Sequence, residues 1–311
     1  MRLPTPLSGI VPPLCTPLTP AGDIDTASLA ALVDRTVGAG VDAVFALGSS
    51  GETAYLSDAQ RRTALATVVA AVDGRVPVLA GAVDMTTARV IDQARAAAGL
   101  GADGIVATAP FFTRTHPAEI SGHFRRLRDS VDLPLFAYDN PAAVHTKLTA
   151  ATLLPLAEDS TLAGLKDSSG DDGALRRFLV EAGRRGLRGR FSVLTGSETT
   201  VDGALLAGAD GAVPGLGNVD PAGYVRLYRQ ARAGRWSEAA AEQDRLTALF
   251  AITDAGDPAL MGGSSAGLGA FKAALHLLGV IDCPLTAAPQ IPLPASAVKS
   301  VRQLLDEGGL S

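Results

Sequence analysis

The sequence predicts an α/β fold, a (β/α)8 TIM barrel followed by a C-terminal helical extension. Eight short runs rich in Val, Ile and Leu alternate with Ala- and Leu-rich amphipathic stretches along the chain. Glycine-rich turns that end in aspartate recur between a helix and the next strand. The chain has 311 residues, which exceeds the ~250 residues typical of such a barrel. A doubly wound open sheet is the rival, because strands that are apolar on both faces fit either architecture.

Each of the eight predicted strands ends in a polar loop, and a helix follows. The strands are predicted at residues 9–11, 43–47, 77–81, 104–108, 134–138, 162–166, 191–195 and 211–214. The first two helices are predicted at 28–39 and 57–72, where apolar residues recur on one face. Ser57 with Gln60 three residues later predicts a capping box at the start of the second helix.

A repeated turn separates helices from strands. Its copies are Gly40-Val41-Asp42, Gly101-Ala102-Asp103 and Gly208-Ala209-Asp210. Glycine just past a helix end adopts the left-handed conformation that terminates a helix. We therefore interpret the three copies as equivalent helix-to-strand turns of a repeating βα unit.

The barrel is predicted to occupy residues 1–221 and the helical extension residues 222–311. The extension contains four predicted helices, at 222–233, 236–252, 268–278 and 295–306. The Gly262-Gly263-Ser264-Ser265 stretch is predicted to be a flexible joint between two of them.

Composition excludes several classes of protein. A net charge of −5 argues against a nucleic-acid-binding protein, which would carry a basic stripe. No apolar run approaches the ~18 residues of a membrane span, and prolines at 4, 6, 12 and 13 interrupt any signal peptide. Cys15 and Cys283 lie far apart, and the four histidines form no metal-binding pair. We expect a cytoplasmic protein with no metal and no membrane or nucleic-acid partner.

Lysine is rare, and one lysine stands out. The chain has only Lys147, Lys166, Lys272 and Lys299. Lys166 ends the sixth predicted strand, so on a barrel it projects into the mouth where catalytic residues lie. A lysine shielded from water there loses its proton more readily and can form a Schiff base with a ketone. The alternative is a structural lysine paired with an interior carboxylate. Lys147 is expected to be solvated, and Lys272 and Lys299 are expected to be surface or salt-bridge residues.

Two further features lie at predicted strand ends. Tyr138 is the one tyrosine that ends a barrel strand, where a phenol can move protons for a nearby amine; alternatively it plugs the barrel top. Gly48-Ser49-Ser50-Gly51-Glu52-Thr53 follows the second strand and supplies two hydroxyls and glycine-exposed amides that suit a carboxylate or phosphate. Its alternative is a simple βα turn.

These motifs, in this order and spacing, resemble those of the dihydrodipicolinate synthase / N-acetylneuraminate lyase family of class I, pyruvate-handling aldolases. The likeness covers nearly the whole chain. It comprises Gly9 to Leu18, Gly48 to Glu52, Tyr138-Asp139-Asn140-Pro141, Gly164 to Gly170, Gly196-Ser197-Glu198, Gly211 to Pro214 and the Lys-x-Ala-Leu at Lys272.

The resemblance implies roles for individual residues. Lys166 is the implied Schiff-base lysine and Tyr138 the implied proton shuttle. Ser49 and Ser50 are the implied binders of the pyruvate carboxylate, with Ser50 also relaying protons to Tyr138. Backbone at Gly196 and Val213 lines the implied pyruvate pocket. The resemblance also implies no cofactor beyond the lysine imine, and a homo-oligomer, either a tetramer or a dimer.

Two departures bear on the substrate. The synthase pattern has a tyrosine, lent across a dimer interface, where this chain has Phe112, and an arginine after the strand-five tyrosine that this chain lacks. Phe112 and His145, or Arg114 and His116, could contact substrate instead. The departures favour a 2-keto-3-deoxy sugar acid as substrate of a carbon–carbon lyase that acts on pyruvate.

Three alternatives stay open. A sugar-acid dehydratase of the 5-dehydro-4-deoxyglucarate type would use the same lysine imine. The second is 4-hydroxy-tetrahydrodipicolinate synthase. The third, from a different class, is a catalytically idle sensor that binds a sugar acid.

Overall fold

The computed structural model describes residues 3–310 and confirms the predicted barrel. One parallel sheet has the order β1-β8-β7-β6-β5-β4-β3-β2. Its strands are β1 (Gly9–Ile10), β2 (Val44–Ala46), β3 (Val78–Gly81), β4 (Gly104–Thr108), β5 (Leu135–Asp139), β6 (Gly164–Asp167), β7 (Ser192–Thr195) and β8 (Gly211–Ala212). Neighbours in sequence are neighbours in the sheet, which is barrel topology, whereas a doubly wound sheet reverses its strand order.

Residues 12–14 close the barrel between β1 and β2. Pro13 forms a parallel bridge with Phe45 of β2. The Phe45 N–H donates to the Pro12 carbonyl at 3.0 Å, and the Leu14 N–H donates to the Phe45 carbonyl at 2.8 Å. These bonds join the two ends of the sheet, so that neither edge is left open for pairing with another chain.

The helices predicted at residues 28–39, 57–72, 222–233, 236–252 and 295–306 are confirmed, and the helix predicted at 268–278 begins earlier, at Gly263. Twelve α-helices are formed within residues 3–310. They are α1 (Thr26–Gly38), α2 (Asp58–Val72), α3 (Thr87–Gly99), α4 (Pro117–Ser130), α5 (Pro141–Val144), α6 (Ala150–Glu158), α7 (Asp172–Arg184), α8 (Val201–Ala207), α9 (Pro221–Arg232), α10 (Trp236–Phe250), α11 (Gly263–Leu277) and α12 (Ala295–Glu307). The capping box of α2 is confirmed, with Ser57 and Gln60 bonded reciprocally. Among residues 3–310, no helix is both long enough and apolar enough to cross a membrane.

The flexible joint predicted at residues 262–265 is wrong. Gly262 is the N-cap of α11, and the next three residues form its first turn. Ser265 and Ala266 are buried there. Burial of one helix face outweighs the weak helix propensity of glycine and serine.

The three repeated turns share one structural role. Asp42, Asp103 and Asp210 each precede a strand, and each carboxylate accepts the N–H of a residue in the preceding strand. The distances from the donor nitrogen to the carboxylate Oδ2 are 2.8 Å for Ile10 and Asp42, 2.9 Å for Val78 and Asp103, and 2.7 Å for Val193 and Asp210. The aspartate therefore ties the starts of adjacent strands together and helps to set their register.

The wall of strands separates two hydrophobic clusters. The inner cluster fills the barrel with side chains that include Phe45, Phe136, Leu194 and Val213, and Tyr138 belongs to it. The outer cluster lies between strands and helices and continues into α9 to α12. The C-terminal helices thus pack into the same outer hydrophobic cluster as the helices of the barrel.

A buried ion pair connects these C-terminal helices to the loop after β2. Lys272 of α11 is fully buried against the carboxylate of Glu52. The ammonium also donates to the Leu285 carbonyl at 2.7 Å. The other Glu52 oxygen accepts the Ala287 N–H at 2.6 Å and the Gln290 amide at 3.0 Å. Of the two predictions for Lys272, surface or salt bridge, the structure confirms the salt bridge, and it is buried because Glu52 offers the cation a full partner.

We expect the Glu52–Lys272 pair to be necessary for stability. In the Lys272→Met variant the Glu52 carboxylate stays buried without a cation, so the free energy of unfolding should fall by about 3–5 kcal/mol. Urea unfolding followed by circular dichroism measures this change.

Two control variants test the cause of that loss. Lys299 is exposed, so Lys299→Met should change the free energy of unfolding by less than about 0.5 kcal/mol. Glu52→Gln/Lys272→Met removes both charges and should be more stable than Lys272→Met alone. If Lys272→Met is as stable as Lys299→Met, the pair does not stabilise the fold.

Candidate active site

The ends of β5 and β6 bring Tyr138 and Lys166 side by side. The two residues are register partners in adjacent parallel strands, so both side chains point to the same face. That face is the barrel interior, where Tyr138 is 4% and Lys166 is 5% exposed. The Lys166 Nζ lies 4.0 Å from the centroid of the Tyr138 ring. The structure therefore places the two residues predicted from their strand-end positions in direct contact.

Aromatic rings enclose the amine. Phe45 of β2 lies with its ring centroid 4.9 Å from Lys166 Nζ and packs edge-on against Tyr138 at 6.5 Å. Gly48 allows this ring to lie under the loop, because a Cβ at position 48 would come within 2.6 Å of Phe45. The lysine therefore stands above the inner hydrophobic cluster with little contact with water.

Two polar side chains hold the Tyr138 hydroxyl. The Asn140 amide donates to it at 3.1 Å, and the Ser49 hydroxyl lies 3.1 Å away. The resemblance implied that Ser50 relays protons to Tyr138, but the hydroxyl bonded to the phenol belongs to Ser49. Strand alternation cannot choose between consecutive serines in a loop, and here Leu47, with a φ of 59°, has already turned the chain out of the extended conformation.

The environment of Tyr138 lowers the pKa of its phenol. Burial alone raises it, but the positive charge of Lys166 and hydrogen bonds from Ser49, Lys166 and Ser168 lower it by more. A phenol whose pKa lies below its ordinary value gives up and regains a proton more readily at neutral pH.

A cavity of about 440 Å³ opens above the Tyr138 hydroxyl. Its walls combine the loops after the strands with helices of the C-terminal extension. The residues from the barrel are Ser49, Ser50, Glu52, Thr53, Ala54, Tyr55, Val83, Thr108, Phe111, Tyr138, Asn140, Ala143, Val144 and Glu198. Those from the extension are Phe250, Thr253, Gly263, Ser264, Gly267, Leu268 and Phe271. The extension thus covers one side of the barrel mouth.

Glu198 is a titratable group on the cavity wall. Its carboxylate accepts the Leu216 N–H at 2.6 Å. Burial raises the pKa of Glu198 to about 7, although the backbone N–H groups of Leu216 and Gly215 and the charge of Lys166 lower it. A carboxyl that titrates near neutrality can exchange protons with a substrate hydroxyl.

The remaining predicted residues divide into two groups. Gly196 and Val213 lie near the pair: Gly196 N–H donates to Asp167 O at 2.6 Å, and Val213 packs in the inner cluster with Tyr138. Phe112 and His145 are exposed and are not among the described residues that line the cavity, so their contacts with substrate stay a prediction. Positive φ angles of 76° at Phe112 and 55° at His145 accompany these outward orientations.

Neighbouring residues occupy those places instead. Phe111 lines the cavity where Phe112 was expected, and Ala143 and Val144 line it where His145 was expected. Arg114 is exposed, and His116 caps the N-terminus of α4. The sequence does not show which of two adjacent loop residues faces the cavity, because the direction of each side chain depends on individual backbone angles.

Two functional candidates carried sequence signals that were not assigned a role. Asn140 lies two residues beyond Tyr138 in the strand-end motif, and Glu198 ends the Gly-x-Glu turn after β7. A third group, Asp139, Lys147 and Asp167, lies behind Tyr138 and Lys166, and only the aspartates adjoin a predicted site residue. Within residues 3–310, no cluster of three or more His, Cys, Asp or Glu side chains could hold a metal ion.

Known proteins share both the sequence and the fold. The model of the Dihydrodipicolinate synthetase family matches residues 6–307. A 4-hydroxy-tetrahydrodipicolinate synthase of Gluconacetobacter diazotrophicus is 31% identical over 98% of this chain and 98% of that protein. The putative 2-dehydro-3-deoxy-D-gluconate aldolase YagE of Escherichia coli is 35% identical over 75% of this chain and 77% of its own. The crystal structure of YagE in complex with pyruvate superposes with a TM-score of 0.90, at 31% identity, and covers 98% of this chain and 99% of that one.

The two serines should differ in their effect on the Tyr138 phenol. Ser49→Ala removes a hydrogen bond that lowers the phenol pKa, so the pKa of Tyr138 should rise. Ser50→Ala, the matched control, should leave it unchanged. Titration of tyrosine labelled with ¹³C at Cζ measures both, with Tyr138→Phe used to assign the resonance. If the pKa of Tyr138 rises more in Ser50→Ala than in Ser49→Ala, Ser50 is the residue that relays protons to the phenol.

Proposed function

The chain belongs to the dihydrodipicolinate synthetase family, whose members are lyases and aldolases, and on that premise we propose that it is a class I, Schiff-base aldolase of a 2-oxo acid. One observation carries the proposal. A lysine amine and a tyrosine phenol lie together in a dry barrel mouth, at the ends of adjacent strands, under a substrate-sized cavity.

Imine formation is the first step. The neutral Lys166 amine attacks the keto carbon of the 2-oxo acid, and the carbinolamine takes a proton from Tyr138 and loses water, which gives a protonated imine and leaves Tyr138 as the phenolate. Each stage transfers a proton between nitrogen and oxygen. The Tyr138 ring lies 4.0 Å from the amine, its phenol hydrogen-bonds with Lys166, and its lowered pKa supports its role as the proton carrier.

Carbon–carbon cleavage follows from the imine. The C4 hydroxyl of a 4-hydroxy-2-oxo acid gives its proton to Tyr138, the C3–C4 bond breaks, and its electron pair moves to the iminium nitrogen. An aldehyde leaves, and the enamine takes a proton at C3. Water then hydrolyses the imine and releases pyruvate and Lys166. The reverse sequence is aldol addition.

The substrate carboxylate suits the loop after β2. Ser49 and Ser50 present hydroxyl groups to the cavity beside Tyr138. Glycines at 48 and 51 leave the loop backbone accessible, as hydrogen-bond donation to a carboxylate requires. Binding here would place the keto carbon next to Lys166, in the order that imine formation needs.

We favour a 2-keto-3-deoxy sugar acid as the substrate. Asn140, Glu198, Thr253 and Ser264 supply hydrogen-bonding groups around the cavity for a polyol chain. None of the described residues that line the cavity is arginine or lysine, so a second carboxylate would lack a cation there. The name of the relative YagE points to the same class of substrate.

Two alternatives in the same family keep support. A sugar-acid dehydratase would use the same lysine imine to expel a hydroxyl group. A 4-hydroxy-tetrahydrodipicolinate synthase is favoured by the relative that matches 98% of the chain.

An idle sugar-acid sensor is disfavoured by the packed Lys166–Tyr138 pair. The cytoplasmic location and the dimeric or tetrameric assembly stay predictions.

Reduction with borohydride in the presence of pyruvate tests the Schiff base. We expect a covalent adduct on the peptide that contains Lys166, detected by mass spectrometry. Lys166→Met should give no adduct, whereas Lys299→Met should be labelled like the unmodified protein. An unlabelled Lys166 peptide in folded protein would overturn the aldolase proposal and favour the sensor.

A substrate panel tests the specificity. We expect turnover of 2-keto-3-deoxy sugar acids, with pyruvate and an aldehyde released in equal amounts. Condensation of pyruvate with aspartate semialdehyde should be at least about one hundred times slower than this turnover. The described residues that line the cavity include no cation to bind the carboxylate of the semialdehyde, and that loss costs about 3 kcal/mol of transition-state binding. Preferential condensation would identify the synthase, and loss of water without release of an aldehyde would identify the dehydratase.

A further inference from the structure

A second ionic cluster lies directly behind Tyr138 and Lys166, on the outer face of the strands. Side chains alternate along a strand, so Asp139 and Asp167, each one residue beyond the catalytic pair, point away from the barrel interior. The two aspartates are register partners in β5 and β6, as Tyr138 and Lys166 are. Two carboxylates therefore lie opposite each other at the ends of the two strands that carry the reacting groups.

Lys147 joins these carboxylates. Its ammonium contacts Asp139 Oδ2 directly and lies 3.7 Å from Asp167 Oδ2. The Asp139 side chain is fully buried, Asp167 is 7% exposed and Lys147 is 34% exposed. The sequence predicted a solvated Lys147; the structure instead makes it the cation of a largely buried triad.

The remaining oxygens fix the triad to the backbone. Asp139 Oδ1 accepts the Leu148 N–H at 3.0 Å, which holds the segment carrying Lys147 against β5. Asp167 Oδ1 accepts the Ser169 N–H at 2.9 Å. The Ser168 N–H donates to the Asp139 carbonyl at 2.9 Å, so the two strand ends are also joined by their main chains.

Charge explains why a cation is needed there. Two neighbouring carboxylates with little access to water repel each other unless one is protonated or a cation lies between them. Burial raises the pKa of Asp139, and the Leu148 N–H and Lys147 lower it. Loss of the cation would therefore favour protonation of one aspartate at low pH and repulsion between the two at high pH.

Other charged groups face this cluster from the neighbouring elements. Lys166 lies on the inner side of the strands. A surface groove next to Lys147 is lined from the α7 side by Asp171, Arg176, Arg177, Glu181 and Arg184 and from the α6 side by Thr149, Ala150 and Leu153. The groove is open to solvent, where screening weakens interactions between exposed charges. Lys147 is the group that reaches both buried aspartates.

We propose that Lys147 is a positioning residue for the reaction, which holds the ends of β5 and β6 together so that Tyr138 and Lys166 keep their contact. This inference rests on the proposed Schiff-base function. One peptide separates each aspartate from a reacting side chain, so separation of the strand ends moves the phenol and the amine apart. Lys147 touches neither reacting group, and it acts through the backbone of the two strands.

Lys147→Met tests the proposal by its pH profile. We expect kcat for the 2-oxo acid to fall about tenfold to a hundredfold at pH 8, as for a displacement of catalytic groups by about 1 Å. The loss should become smaller as the pH is lowered, because protonation of one of the two carboxylates relieves the repulsion. KM should change less than kcat, since Ser49 and Ser50 lie on a different loop. Borohydride trapping of pyruvate, measured over the same pH range, should slow in parallel.

Asp139→Asn/Lys147→Met is the matched control, because it removes one negative charge together with the cation. It should recover most of kcat and lose the additional decrease at high pH. Lys147→Arg keeps a cation between the aspartates and should stay within about threefold of the unmodified enzyme, well inside the loss expected from displaced groups. Thermal unfolding of every variant reports any loss of stability separately.

Three outcomes would overturn the positioning role. In the first, Lys147→Met keeps the unmodified kcat and pH profile. In the second, the double variant is as slow as Lys147→Met and has the same pH dependence. In the third, Lys147→Met fails to fold while the double variant is fully active, which would assign Lys147 to stability alone. Failure of the proposed function is a different result, since the unmodified protein would then not trap pyruvate at all.

Discussion

Parallel hydrogen bonding between β5 and β6, in one fixed register, is the constraint on which the site depends. The register sets Tyr138 opposite Lys166 on the inner face and Asp139 opposite Asp167 on the outer face. A shift by one residue would exchange the faces and bring carboxylates into the barrel. The same pairing therefore determines both the reacting contact and the charged cluster behind it.

The few lysines of the chain mark the places where charge enters the interior. Lys166 stands on aromatic rings, Lys272 is paired with Glu52, and Lys147 joins two aspartates; Lys299 is exposed. Each buried or half-buried ammonium faces a group that compensates it, since an unpaired charge in a core is costly. Lys166 alone of the three has no carboxylate as a direct contact among the ion pairs of residues 3–310, which fits the amine proposed to form the Schiff base.

The Glu52–Lys272 pair connects fold and site. Glu52 closes the loop that begins with Gly48 and includes Ser49 and Ser50, and the partners of its carboxylate, Lys272, Ala287 and Gln290, belong to the C-terminal extension. The extension also supplies Phe250, Thr253 and Phe271 to the cavity wall. Its helices therefore hold the serine loop in place and at the same time shape the volume above Tyr138.

The sequence by itself determined the eight strands, most of the helices and the two central residues, because these follow from local patterns. The closed order of the strands and the start of α11 were decided by the tertiary structure. Apolar runs that end in Tyr138 and Lys166 place those side chains at the barrel mouth whatever the surroundings are. The tertiary structure decided which of two adjacent residues faces the site: Ser49 rather than Ser50 at the phenol, and Phe111 rather than Phe112 at the cavity. It also decided the partners of Lys147 and Lys272. Loop directions depend on single backbone angles, and ion pairs join residues distant in sequence, so neither leaves a periodic signal along the chain.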